Sequence, residues 1–192
     1  MGVALGFLLS TLKDWWVQRR KNKKDVEYLS IQIICMLDRY VAGCAAVVSD
    51  DGLCRGQPDK DGCSCIQVST PTFEPEAVKV EWKSLPTKLM YEILMFSNKI
   101  EVADNRISAA FEEDHPPDYD EGFGERRYQY AILGIEAAAL AEKLRNYAKL
   151  PKLQVKHPDE WDAVRYMQDE KRKFDAWEEQ RTCLPNPIAT DC

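Results

Sequence analysis

Histidine is almost missing from this chain: His115 and His157 are the only two in 192 residues. Histidine is the most frequent general base near neutral pH and the commonest metal ligand, so its scarcity removes most such chemistry. Neither histidine has a Ser or Cys at a recognisable catalytic spacing. The G-x-S-x-G, P-loop and H-E-x-x-H patterns are missing too. No Glu-x-x-His pair lies within a helical pattern, which disfavours a di-iron bundle. Positive charge is sparse after the first 25 residues: residues 26–192 hold 30 acidic and 20 basic side chains. Neutralising phosphates needs a basic face, so nucleic acid is not an expected partner. Internal repeats and low-complexity tracts are also lacking. No catalytic residue and no cofactor is expected, and the balance leans away from an enzyme.

The N-terminus is a different kind of sequence. Met1 to Leu12 (MGVALGFLLSTL) is uncharged and almost wholly apolar. Lys13-Asp14 and Trp15-Trp16-Val17 follow, then Arg19, Arg20, Lys21, Lys23 and Lys24. Apolar run, aromatic pair and basic cluster occur in the order of a membrane anchor and its interfacial girdle. Leu5, Phe7, Leu8, Leu9, Leu12, Trp15 and Trp16 are the expected anchor residues. The five basic residues are expected at lipid head groups, each contributing about 1 kcal/mol near the surface. The run is short. Twelve helical residues rise roughly 18 Å, against a hydrocarbon core of about 30 Å. Including Trp15 to Val17 gives about 25 Å, with Lys13 snorkelling and Asp14 paired nearby. A longer natural N-terminus would complete the span.

Three other readings are weaker. A cleaved secretory signal carries its positive charges before the apolar core, and here they follow it. Myristoylation needs Ser or Thr at position 6, which is Gly6. A buried helix of a soluble domain is disfavoured because residues 3–9 are apolar on every face. Lys and Arg beside a span favour the cytoplasm. The expected location is thus the inner membrane, single-pass, with the N-terminus outside and the domain in the cytoplasm. Gly2-x-x-x-Gly6 is a small-residue pair suited to helix–helix contact, so a second copy of the chain is an expected partner beside the bilayer.

The seven cysteines are Cys35, Cys44, Cys54, Cys63, Cys65, Cys183 and Cys192. An odd count in a cytoplasmic domain reads as reduced thiols. Cys54, Cys63 and Cys65 are the weak candidates for soft metal ligands, but their spacing of eight residues and then one does not match a zinc knuckle. The acid-rich loop from Glu112 to Glu121 resembles only a fragment of a calcium loop. It reads as a solvated turn stiffened by Pro116-Pro117, the alternative being a cation site or a contact for a basic partner.

The remaining pattern is helical. Val26, Leu29, Ile33, Leu37, Tyr40, Cys44 and Val47 recur every three or four residues. With no Pro before them, they predict one helix from about residue 3 to about 48. Gly52 is expected to close it in the left-handed region. Residues 50–83 are rich in turn formers. Ile66-Gln67-Val68 and Val78-Lys79-Val80-Glu81-Trp82 alternate and predict either a short β-hairpin or an extended strap. Ser84 is the expected cap of a second helix ending at Glu113, its core side marked by Leu89, Ile93, Phe96, Ile100, Ala103, Ile107 and Ala110. A third runs from about Phe123 to Ala148, with Tyr128, Ile132, Ile135, Ala139 and Leu144 buried and Pro151 ending it. A fourth starts at His157-Pro158-Asp159-Glu160 and runs to about Arg181, burying Trp161, Val164, Met167, Phe174 and Trp177.

The expected fold is therefore all-α: a membrane anchor (1–24) continuous with the first helix of a roughly four-helix bundle (25–182), then a loose tail (183–192). The expected function is interaction or scaffolding at the membrane. Trp161, Tyr166 and Trp177 are the candidate partner contacts, since aromatic anchors dominate interfaces. The alternatives are a membrane-tethered thiol or metal enzyme built on the Cys54–Cys65 loop, and a periplasmic, disulfide-stapled helical domain.

Overall fold

The computed structural model describes residues 2–79, 82–151 and 161–183; ahead of Lys23 it describes the backbone and the side chains of Trp16, Arg20 and Lys21. These residues contain four helices and no strand: α1 (Gly2–Val48), α2 (Thr87–Glu113), α3 (Asp120–Ala148) and α4 (Ala163–Cys183). They pack as an all-α bundle. Of the expected tail at 183–192, Cys183 instead ends α4 and the rest lies outside the described residues, as does the helix-start signature at 157–160.

α1 is unbroken because nothing in its 47 residues stops it; at 1.5 Å per residue it is about 70 Å long. Leu29, Ile33, Leu37, Tyr40, Cys44 and Val47 are all buried, as their spacing predicts. By length and composition, the stretch Lys23–Val48 is apolar enough to cross a membrane, but half of it is buried inside the bundle. Its apolarity therefore has a structural use in the core. Gly43 lets the following segment press against α1: a Cβ there would stand 2.6 Å from that of Pro71. Gly52, at φ +78°, turns the chain directly beneath the Phe123 ring.

The connection from α1 to α2 is a strap. The expected hairpin is not formed among the described residues; Ile66 to Val68 and Val78-Lys79 lie in irregular chain, and Val80-Glu81 fall outside the description. The physical reason is side-chain competition for the backbone. Asp50 accepts the Gln67 and Val68 N–H groups at 3.0 Å each, and Arg126 donates to the Val68 carbonyl at 2.5 Å. Those groups are satisfied without a ladder partner. Further along, Phe73 meets Tyr40 of α1 and Phe96 of α2 edge to face, at centroid distances of 6.1 and 5.4 Å. The strap thereby closes the sector between α1 and α2. Ser84 does not cap α2; it lies in a one-turn 3-10 helix, Trp82–Ser84, and Pro86 occupies the cap position.

α3 is the hub, packed against α1, α2 and α4. Its buried residues, including Arg126, Tyr130, Ala131, Leu133, Ala137, Leu140, Ala141 and Leu144, run round much of its circumference. Of the predicted buried set only Leu144 is fully buried; Tyr128, Ile132 and Ile135 are half-buried and Ala139 is exposed. A helix enclosed on several sides has no single apolar stripe to read. Gly134 makes its closest approaches possible, because a Cβ there would collide with Met167 of α4 and stand 2.9 Å from the Cys44 Cβ. Lys149 in the left-handed region, rather than Pro151, ends the helix, its N–H reaching the Arg145 and Asn146 carbonyls.

Candidate functional site

α4 opens with Asp162, whose carboxylate accepts the N–H groups of Val164 and Arg165 at 2.9 and 3.3 Å, a side-chain cap. It lies antiparallel to the first half of α3. Met167 is fully buried. Phe174 covers Gly124, where a Cβ would be 3.5 Å away, and meets the Tyr128 ring at 5.8 Å. The Tyr128 hydroxyl donates to Asp175 at 3.0 Å, and Lys171 pairs with the same carboxylate at 2.6 Å. Burial, then the hydrogen bond to Asp175, raises the Tyr128 hydroxyl, while Lys171 holds the Asp175 carboxyl low. Each ring carries a cation: Arg127 over Phe174, Lys171 over Tyr128 and Arg181 over Trp177, at 5.6, 5.5 and 4.8 Å.

Between the C-terminal half of α2 and α4, with α3 as floor, lies an open groove of about 1370 Å3. α2 contributes Arg106, Ala109, Ala110 and Glu113; α4 contributes Lys173, Phe174, Trp177 and Arg181. Asp120, Glu121, Gly124, Glu125 and Tyr128 of α3 lie between them. Sequence reasoning placed Trp161, Tyr166 and Trp177 as partner contacts, and they do not form one patch. Trp177 lines the groove and is 53 % exposed. Trp161, 61 % exposed, faces half-buried Tyr166 at 6.4 Å near the other end of α4. The expectation that Trp161 and Trp177 are buried is thus overturned; Met167 and the half-buried Val164 and Phe174 seat the helix, leaving both indoles outside.

The most buried ionic contact is Asp50–Arg126, at 2.9 Å with both side chains 1 % exposed. Burial raises the Asp50 carboxyl, but the N–H groups of Val68, Gly52 and Gln67 and the Arg126 guanidinium outweigh it and hold the group below its usual range. Nothing in the sequence flags this pair: Asp50 sits in a turn-forming run, 76 residues from its partner. In the acidic loop, Asp114 accepts the His115 and Gly122 N–H groups at 2.7 and 2.9 Å. The Gly122 N–H is the main cause of its lowered carboxyl. Asp114 therefore stitches the α2–α3 turn together.

The thiol candidates are spread through the strap. Cys35, Cys44, Cys54, Cys63 and Cys65 are free. Cys54 exchanges two backbone hydrogen bonds with Gln57, Cys63 donates its N–H to Asp59, and the Cys65 sulfur accepts from Gln67 at 2.9 Å. Among the described residues no three His, Cys, Asp or Glu side chains are arranged to hold a metal ion. Cys44 is in the core, where burial pushes its thiol up and away from the reactive thiolate. In the first half of α1, Arg20 lies 4.8 Å over the Trp16 ring, and Lys23 pairs with Glu27 at 3.6 Å. Arg20, Lys21, Lys23 and Lys24 are exposed. The side chains of Leu5, Phe7, Leu8, Leu9, Leu12, Trp15 and Arg19 lie outside the description. Compared with known proteins, the chain matches no family model, no curated protein and no solved structure.

Proposed function

We propose that this protein is a membrane-anchored helical interaction module, held at the inner face of the membrane by residues 1–24 and presenting α4 to a partner protein. The observation that carries the reading is the continuity of α1 from Gly2 to Val48. A lipid-seated N-terminal segment would be joined to the bundle core by one rigid rod, without a linker. The exposed Arg20, Lys21, Lys23 and Lys24 suit an anionic head-group layer. The acidic body beyond them would be repelled from that layer and stand off it. Trp161, just ahead of α4, and Trp177 on it are exposed and support a protein partner, because large aromatic side chains on a surface are favoured interface anchors. Gly2 and Gly6 would favour a second copy within the bilayer.

The test is fractionation followed by labelling of exposed Cys35 and Cys54 with a membrane-impermeant maleimide. The protein should pellet with membranes, and both thiols should react only after lysis. A protein that stays in the supernatant overturns the anchor; labelling of intact cells overturns the orientation.

A further inference from the structure

We infer that the groove between α2 and α4 is the docking slot for an amphipathic helix of a partner protein, with lysine or arginine at the end that meets the α2–α3 turn. The inference rests on the interaction reading and gives its partner a chemistry. Three helices surround α3. α1 and α4 pack against each other, and the strap with Phe73 fills the sector between α1 and α2. Among the described residues the sector between α2 and α4 is open, and a further helix of the bundle would fit there. Ala109 and Ala110 on one wall leave room for a close backbone, and Phe174 and Trp177 on the other wall offer apolar contact. The α4 wall from Glu170 to Arg181 is about 17 Å long, room for roughly three helical turns.

Charge sets the partner's sign. Glu113 ends α2 at the negative pole of that helix, whose last turn has no basic residue. Asp120, Glu121 and Glu125 stand beside it on α3, and no ion pair to a described residue engages any of the four. Arg106, Arg127, Lys173 and Arg181 also line the groove, so its acidity is concentrated at the turn end, where these four carboxylates cluster, and that end favours a cation. It also repels lipid phosphates and nucleic acid, which leaves a basic protein segment. Arg127 of α3 also lines the groove, but its guanidinium lies over the Phe174 ring and its Nε is buried, so that nitrogen is not presented to the occupant.

The test uses the full chain in non-ionic detergent and two dye-labelled helical peptides of about twelve residues, Ala/Leu-rich, one ending in lysines and one in glutamates. Fluorescence anisotropy should give saturable micromolar binding of the lysine peptide, weakened by salt, and none of the glutamate peptide. Glu113→Lys with Glu125→Lys should weaken the lysine peptide at least about tenfold. Trp177→Ala should do so by a similar factor, with circular dichroism confirming that each variant is folded. No saturable binding up to millimolar peptide, or equal binding of both peptides, overturns the slot. Light scattering supplies a further arm: a dimer abolished by the same two charge reversals would make the occupant a second copy and overturn the partner helix. If a membrane-recovered partner depends on Trp161 and Tyr166 but ignores the groove variants, the interaction reading stands and the slot falls.

Discussion

Arg126 and Arg127 are neighbours on α3 with opposite surroundings. Arg126 turns toward the strap, is fully buried, and gives its guanidinium to Asp50 and the Val68 carbonyl. Arg127, one residue and about 100° further round the helix, turns toward the groove, lies over Phe174 and keeps a buried Nε without an acceptor. One side of α3 is closed by the chain's own strap and its donors are matched. The other side is open and its donor is not. The difference separates a charge used to hold the fold from one that no ion pair to a described residue engages.

Breaking the closed side should have the largest effect. Asp50→Ala would strand the Arg126 charge in the core and remove the acceptor of the Gly52, Gln67 and Val68 N–H groups. Loss of one partner of a buried pair costs about 3–5 kcal/mol, so urea unfolding should show a stability drop of that size. Asp50→Asn, which keeps one acceptor oxygen, should lose less. Gly134→Ala comes next. The added methyl would meet Met167 and Cys44 in a space with no slack, and overpacking of this kind costs about 1–3 kcal/mol. The same unfolding curves would reveal it.

Acid offers a graded way to weaken the same side. The Asp50 carboxyl is held lower in the folded protein than the usual value of about 3.9. The unfolded chain therefore takes up the proton first. The stabilisation is complete above the unfolded value and is lost as pH falls through the folded one. Urea midpoints should fall between about pH 5 and pH 3, and Asp50→Asn should flatten that fall. An equal slope in the variant would assign the acid sensitivity to other carboxylates, Asp114 and Asp175 among them, which are also held low.

The same contrast explains what was readable in the sequence. α1 buries one face, so a three-four spacing picked out Leu29 to Val47 correctly. α2 behaves alike, with Ile93, Phe96, Ala103 and Ile107 buried as spaced. α3 is enclosed on several sides, so the same rule chose the wrong stripe. The strap was readable as an irregular excursion but not as a closed one, because its closure depends on a carboxylate and a guanidinium 76 residues apart. In the groove, the aromatic type of Trp177 and the acid-rich run from Glu112 to Glu121 were both legible, whereas their meeting with Glu125 along one groove was not. Glu113 lies at the end of α2, and Asp120, Glu121 and Glu125 lie on α3. They share one groove end only after the turn brings the two helices together.

The smallest effect belongs to the open side and is the sharpest test of the contrast. Arg127→Leu removes a guanidinium whose Nε has no acceptor and leaves an alkyl side chain beside Phe174. Removing an unsatisfied buried donor recovers its desolvation cost, while the lost cation–π contact costs about 0.5–1 kcal/mol. The two nearly cancel, so the unfolding midpoint should move by less than about 1 kcal/mol in either direction. Arg126→Leu, one residue away, strands Asp50 and should cost several-fold more. Equal losses in the two variants would mean that Arg127 also holds the fold and that the groove is a structural seam. Unequal losses, with lysine-peptide binding kept or strengthened in Arg127→Leu, would identify the open side of α3 as the surface the chain keeps for a cationic partner.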